Sequence, residues 1–111
     1  MSVPPHLLAL IRERLNDGRY ITESHVFAHG AVEGFVLADV RAAICSGIII
    51  EVYRERHRCL IVARVRTRAG RERWLHVVCD VGHPVNLGIV TAYCPNPAEW
   101  GDPPIRRRPE P

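Results

Sequence analysis

The first half of the chain has apolar positions at the three- and four-residue spacing that is typical of helices. A first helix follows Pro4-Pro5 and ends at Asp17-Gly18, and a second begins near Ser24. A third is predicted over Leu37–Ser46, with Gly47 as the stop. The short segment Tyr20-Ile21-Thr22 is predicted as a connector or a strand.

The pattern then changes to β-branched and aromatic runs of strand length. The predicted strands are Ile48–Tyr53, Cys59–Arg66, Trp74–Val81 and Leu87–Cys94. Turns are predicted in the short polar or Gly/Pro-containing links, at Arg54–Arg58, Arg68–Arg71 and Gly82–Pro84. Short links favour an antiparallel meander. Helices followed by strands predict an α+β fold, with the N-terminal helices packed on one face of a four-stranded antiparallel sheet.

The length of 111 residues fits one domain. We predict a single α+β domain over residues 1–100 and a proline- and arginine-rich tail over residues 101–111, frayed at its end. No apolar run approaches the roughly 20 residues of a membrane span. The N-terminus also lacks the features of an export signal, so the expected location is the cytoplasm.

Strand alternation indicates which side chains share a face of the sheet. In the third strand, Leu75, Val77, Cys79 and Val81 form an apolar set that should face the helices. In the fourth, Thr91 and Tyr93 oppose Val90, Ala92 and Cys94. The predicted open face therefore carries Glu51, Tyr53, Arg64, Arg66, Trp74, His76 and Tyr93. It combines side chains that can transfer a proton, arginine guanidinium groups that can bind phosphate and aromatic rings on which bases can stack. The same face could also be a plain solvent-facing surface.

The charge is mildly basic, with a net charge of +3 and a pI near 8.9, and all 15 basic residues are arginine. Between Arg54 and Arg73, eight arginines accompany only Glu55 and Glu72. A basic cluster of this kind is typical of a surface that binds a phosphate backbone. A solvated strand face, or a GC-rich genome, would also account for it.

The four cysteines, Cys45, Cys59, Cys79 and Cys94, form no C-x-x-C pair. Without an export signal, a disulfide framework is not expected. A zinc site that recruits His76 or His83 is a weaker alternative because paired ligand spacing is missing. We therefore predict no metal and no cofactor.

A series of short motifs runs in order along most of the chain. They are Ser24-His25, Gly34, Asp39-Val40, Gly47, Glu51, Tyr53, Leu75–Val78, Val90–Tyr93, Pro95 and Glu99-Trp100. Their order and spacing resemble the bacterial domain of unknown function (DUF) 4258 family, whose members show S-H-A, I-I-E-x-Y, H-V-V and T-x-Y-x-P. The similarity covers about Tyr20 to Trp100.

That family looks like a branch of the RelE/barnase-type ribonuclease fold, which includes the mRNA-cleaving toxins of toxin–antitoxin pairs. The resemblance implies a helix-then-meander fold, RNA as substrate, no metal requirement and an antitoxin-like protein partner. One difference is that the family arginines after S-H-A are replaced here by His29-Gly30 and Glu33-Gly34. The loss of two positive charges weakens phosphate binding beside His25.

Metal-independent RNA cleavage needs a base for the 2′-hydroxyl, an acid for the leaving oxygen and cations for the phosphorane. The predicted acid and base are His25 and His76. Arg64 or Arg58 would hold the phosphate, while Tyr93 orients it or stacks on a base. The predicted RNA-binding set is completed by Arg66, Trp74 and Tyr53.

Each candidate also has a structural alternative: His25 as a packing residue at a helix start, His76 as a cross-strand pairing residue, and Tyr93 as an aromatic at the core edge. Two other functional classes stay open. One is a non-catalytic domain that binds a protein partner, and the other binds RNA without cleaving it. The sequence does not determine the oligomeric state.

Overall fold

The computed structural model describes residues 3–67 and 70–109. Arg68 and Ala69 of one predicted turn, and the last two residues of the tail, lie outside the described residues. The helices are α1 (Leu7–Asn16), α2 (Ser24–Glu33) and α3 (Leu37–Ser46). The strands are β1 (Tyr20–Thr22), β2 (Ile48–Tyr53), β3 (Arg58–Arg66), β4 (Glu72–Asp80) and β5 (Leu87–Tyr93). A 3-10 turn at Arg54–Arg56 links β2 to β3.

The strands form one five-stranded sheet in the order β1-β5-β4-β3-β2. Strands β2 to β5 make the predicted antiparallel meander. The predicted four-stranded antiparallel sheet is wrong in one detail, since β1 adds a fifth strand parallel to β5, with Tyr20 opposite Leu87. Three residues are too few for alternation to separate a strand from a connector, because only the pairing partner distinguishes them. The α+β class itself is confirmed.

Local sequence explains how α2 passes into α3. Gly34 follows α2 with a φ of 88°, a left-handed conformation that glycine adopts without steric cost. The carboxylate of Asp39 then accepts the backbone N–H of Val36 at 2.8 Å, which satisfies one of the free donors at the start of α3.

The main core lies between the three helices and one face of the sheet. The helices contribute Ile11, Leu15, Val26, Phe35, Val40, Ala43 and Ile44, and the strands contribute Cys59, Ile61, Ala63, Val65, Leu75, Val77, Cys79, Leu87, Ile89 and Ala92. We call this the helix face of the sheet, and the opposite side the second face. No helix among residues 3–67 and 70–109 is long and apolar enough to cross a membrane.

Two β-bulges change which residues share a face. In β2, pairing shifts between Ile49 and Glu51, and in β5 Val78 pairs with Thr91 while Cys79 pairs with Ile89. The extra residue in β5 is Val90, which lies with Val78 and Thr91 in a groove on the second face. The expectation that Val90 shares the apolar face of Ala92 is therefore wrong, because the bulge interrupts the two-residue period.

The C-terminal strap, residues 95–109, folds onto the second face. Trp100 is 2 % exposed and Pro104 is buried, while Trp100 forms a β-bridge with Arg107. The sheet residues beneath are buried too: Leu60, Val62 and His76. The expected open face is wrong at its centre, which the strap covers, whereas Arg64 and Arg66 at its end stay exposed. The expected frayed tail is wrong for residues 101–109, because burying the large apolar surface of a tryptophan is favourable enough to order this segment.

The two tryptophans provide a test of the strap. We expect Trp100→Ala to lower the free energy of unfolding by roughly 3–5 kcal/mol, since it removes a fully buried aromatic side chain. Trp74→Ala is the matched control and should cost clearly less, because Trp74 is only half-buried. Urea unfolding followed by circular dichroism measures both, and equal losses would contradict a packed strap.

Candidate nucleic-acid interface

His76 lies at the centre of the second face, and both of its ring nitrogens are bonded. Nε2 lies 2.8 Å from the carbonyl oxygen of Pro104, which can only accept, so Nε2 carries the proton. Nδ1 then accepts from the hydroxyl of Tyr93 at 3.2 Å. The ring of Trp100 packs edge-on with its centroid 4.4 Å away. Burial lowers the pKa of His76 below its usual 6.5 and thus favours the neutral ring.

A second cluster joins β2 to the strap through Glu51. Arg107 donates two hydrogen bonds to its carboxylate, at 3.0 and 3.1 Å, and the hydroxyl of Tyr53 donates a third. Burial acts to raise the pKa of Glu51, but these bonds hold it below its usual 4.5. Burial and the neighbouring carboxylate raise the pKa of Tyr53 to about 12. Tyr53 is thus a fixed, neutral aromatic group.

The predicted pair of catalytic histidines is not brought together. His25 is exposed on α2, its ring 5.9 Å from that of His29. The neighbouring Val26 packs into the core on the helix face, whereas His76 lies under the strap on the second face. The sheet separates the two imidazoles, so they cannot act on one phosphate in this arrangement.

The predicted arginines occupy two separate surfaces on the second face. The proximal arginine surface comprises Arg54, Arg56 and Arg58, where β3 begins. The distal arginine surface comprises Arg64 and Arg66 together with Trp74. Six residues of β3, or about 20 Å, separate Arg58 from Arg64. The strap crosses the sheet between the two surfaces.

Ion pairs orient an arginine at each surface. Arg58 Nε lies 3.0 Å from a carboxylate oxygen of Asp80, and Arg64 Nε lies 2.9 Å from one of Glu72. Arg64 also lies over the ring of Trp74, 5.7 Å from the centroid. Burial acts to raise the pKa of Asp80, but the hydrogen bond from the N–H of Gly82 and the charge of Arg58 outweigh burial and hold this pKa below its usual 3.8. The partners are substantially exposed, so each pair contributes little stability and can exchange for another anion.

A groove of about 580 Å³ adjoins the proximal arginine surface, and we call it the proximal groove. The sheet side is lined by Val52, Val78, Val90 and Thr91, and the turn side by Tyr53, Arg54, Glu55, Arg56 and Arg58. A depression of similar volume lies between α2 and α3 and is lined by apolar residues such as Phe27 and Val36. The two differ in charge, and only the proximal groove is basic.

The cysteines and the remaining histidines offer no evident metal site. Burial raises the pKa of Cys59 to about 12 and that of Cys79 well above 9.0, so both side chains are neutral thiols packed in the core. His83 Nδ1 accepts the N–H groups of Val85 and Asn86. Among the residues that the structure describes, no three His, Cys, Asp or Glu side chains are grouped to hold an ion.

Sequence reasoning missed the contribution of the strap. Arg107, Trp100 and Pro104 contact the predicted residues Glu51 and His76 directly. One signal was available, namely a tryptophan within a proline-rich segment, because disordered tails rarely retain large aromatic residues. The partner of Trp100 could not be read from the sequence.

The fold and this face define a class: a small α+β domain with two basic surfaces on the face of the sheet opposite its helices. The sequence model of the family described as domain of unknown function (DUF4258) matches residues 22–94. The chain therefore belongs to that family. The match ends before the strap. No curated protein shows significant sequence similarity to the chain.

We expect the free energy of unfolding to fall as the pH is lowered from 7 to 5. Because the pKa of His76 in the folded protein lies below 6.5, the unfolded chain binds a proton at a higher pH than the folded one does. The contribution of neutral His76 to the free energy of unfolding is therefore fully present above pH 6.5 and decreases below it. The lowered pKa of Glu51 acts in the same direction below pH 4.5, where the carboxylate becomes protonated in the unfolded chain before the folded one.

Urea unfolding at pH 7 and pH 5 measures this dependence. His76→Asn should flatten it. His57→Asn controls for the loss of an exposed imidazole, and asparagine tolerates the left-handed backbone there, where φ is 56°. The same decline in His76→Asn as in the wild type would show that His76 is not the group responsible.

Proposed function

We propose that this protein binds RNA through the second face of its sheet. The observation that carries the proposal is that Arg58, Arg64 and Arg66 project from the same face of one strand, beside the exposed Arg56. Arginine matches phosphate geometry with its planar fork, and several such groups on one face form the electrostatic footprint of a backbone binder.

Exposed side chains at both surfaces support phosphate binding. Arg56 and Arg66 have no ion-pair partner within residues 3–67 and 70–109, so a phosphate would displace nothing. At the distal arginine surface, Arg64 and Trp74 combine a cation with an aromatic ring. Stacking of a base on such a ring tolerates any sequence.

A relationship to the RelE/barnase-type ribonucleases is part of this proposal. Its support is the layout, with the helices on one face of a meander formed by β2 to β5. Action in the cytoplasm is part of the same proposal. An antitoxin-like protein partner is a further proposal from the same resemblance.

Fluorescence anisotropy with a labelled single-stranded RNA tests the binding. We expect the double variant Arg56→Gln/Arg66→Gln to bind more weakly. Affinity decreases with salt concentration, and the plot of log affinity against log salt concentration should become less steep by about 0.7 for each phosphate that the variant no longer neutralises. Arg41→Gln is the control, because Arg41 lies on α3, in the helix layer. Equal affinity and slope in all three proteins would refute binding at the second face.

Metal-independent RNA cleavage is the second candidate function. The observation that favours it is the position of His76, Tyr93 and Glu51 between the two arginine surfaces. However, His76 is fully buried and both of its nitrogens are bonded, so the strap would have to leave before His76 could transfer a proton to or from RNA.

The cleavage test uses RNA incubated with the purified protein in EDTA. A ribonuclease of this kind would leave 2′,3′-cyclic phosphate ends, and His76→Ala would abolish them. His29→Ala is the matched control, since His29 lies on α2 and bonds to Ala92 O. Intact RNA with folded wild-type protein would exclude cleavage under these conditions and leave the binding proposal standing.

A further inference from the structure

We propose that the proximal groove binds one unpaired nucleotide of RNA, with the base against the sheet and the phosphate on the arginines at its side. This inference rests on the proposed RNA binding and specifies the form of RNA that the site accepts. A nucleotide joins a base, whose flat ring faces pack against apolar groups, to an anion, and the groove places an apolar surface next to cations.

The floor of the groove suits a base. Val78 and Val90 provide partly exposed apolar surface, and Thr91 provides a hydroxyl that can donate or accept a hydrogen bond. Val90 reaches this floor only because it is the extra residue of the bulge in β5. The volume of about 580 Å³ lies within the usual range for small-molecule sites.

The ring of Tyr53 lines the same groove and is held in place. Its hydroxyl donates to Glu51, and Arg107 from the strap fixes that carboxylate with two further bonds. A ring that is already ordered loses little conformational freedom when a base packs against it. The strap therefore contributes to the groove indirectly, through Glu51.

The charge of the lining favours an anion. Arg54, Arg56 and Arg58 outnumber Glu55 in the lining and Asp80 beside Arg58, so these five residues carry a net charge of +1. Asp80 orients Arg58 through its Nε. An acidic peptide would also neutralise the arginines, but its carboxylate side chains offer no flat ring to pack on the apolar floor and against Tyr53. A nucleotide supplies both the anion and the ring and therefore fits better.

Three labelled probes test the proposal: a single-stranded RNA of about twelve nucleotides, an abasic strand of equal length and charge, and a duplex of the same sequence. Val90→Phe fills the floor and leaves every arginine in place. Val32→Phe makes the same change on α2, where Val32 is 87 % exposed. Tyr53→Leu removes the ring and serves as a second groove variant if Val90→Phe does not fold.

We expect the wild type to bind the single strand about tenfold more tightly than the abasic strand, since stacking stabilises each bound base substantially. Val90→Phe and Tyr53→Leu should reduce that preference, whereas Val32→Phe should keep it. Equal binding of the single strand and the abasic strand, or a preference for the duplex, would overturn the nucleotide site while leaving RNA binding intact. No binding of any probe would overturn both proposals.

Discussion

The burial of His76 beneath the C-terminal strap is the contact on which the second face depends. The bond from its Nε2 to Pro104 anchors the strap, and Trp100 covers the ring. The same segment carries Arg107 to Glu51, which in turn holds Tyr53 beside the proximal groove. One buried side chain is thus linked to the division of the arginines into two surfaces and to the shape of the groove between sheet and turn.

The elements that local patterns determine were predicted well from the sequence. The bounds of α3 and β2 agree with the prediction to the residue, because helical spacing, strand alternation and Gly47 are all local signals. The short β1 could not be predicted as a strand, since only its pairing with β5 defines it. The bulges at Ile50 and Val90 also depend on pairing, and one of them moved Val90 to the other face.

The candidate site was predictable in composition but not in accessibility. Alternation correctly placed Glu51, Tyr53, His76 and Tyr93 on one face of the sheet. Whether that face meets water depends on packing by residues far along the chain, and Arg107 lies 56 positions from Glu51. The chemistry of two imidazoles favours His25 and His76 as an acid and base pair, but the sequence does not give the distance between them. The layered fold places the sheet between the two side chains.

The position of the strap in the chain has a consequence for synthesis on the ribosome. Residues 95–109 emerge after every strand of the sheet, so the helix layer and the meander can assemble while Leu60, Val62 and His76 still face water. During that interval the nascent domain exposes an apolar strip that the finished protein hides. The packing of Trp100 and Pro104 onto the sheet ends this interval.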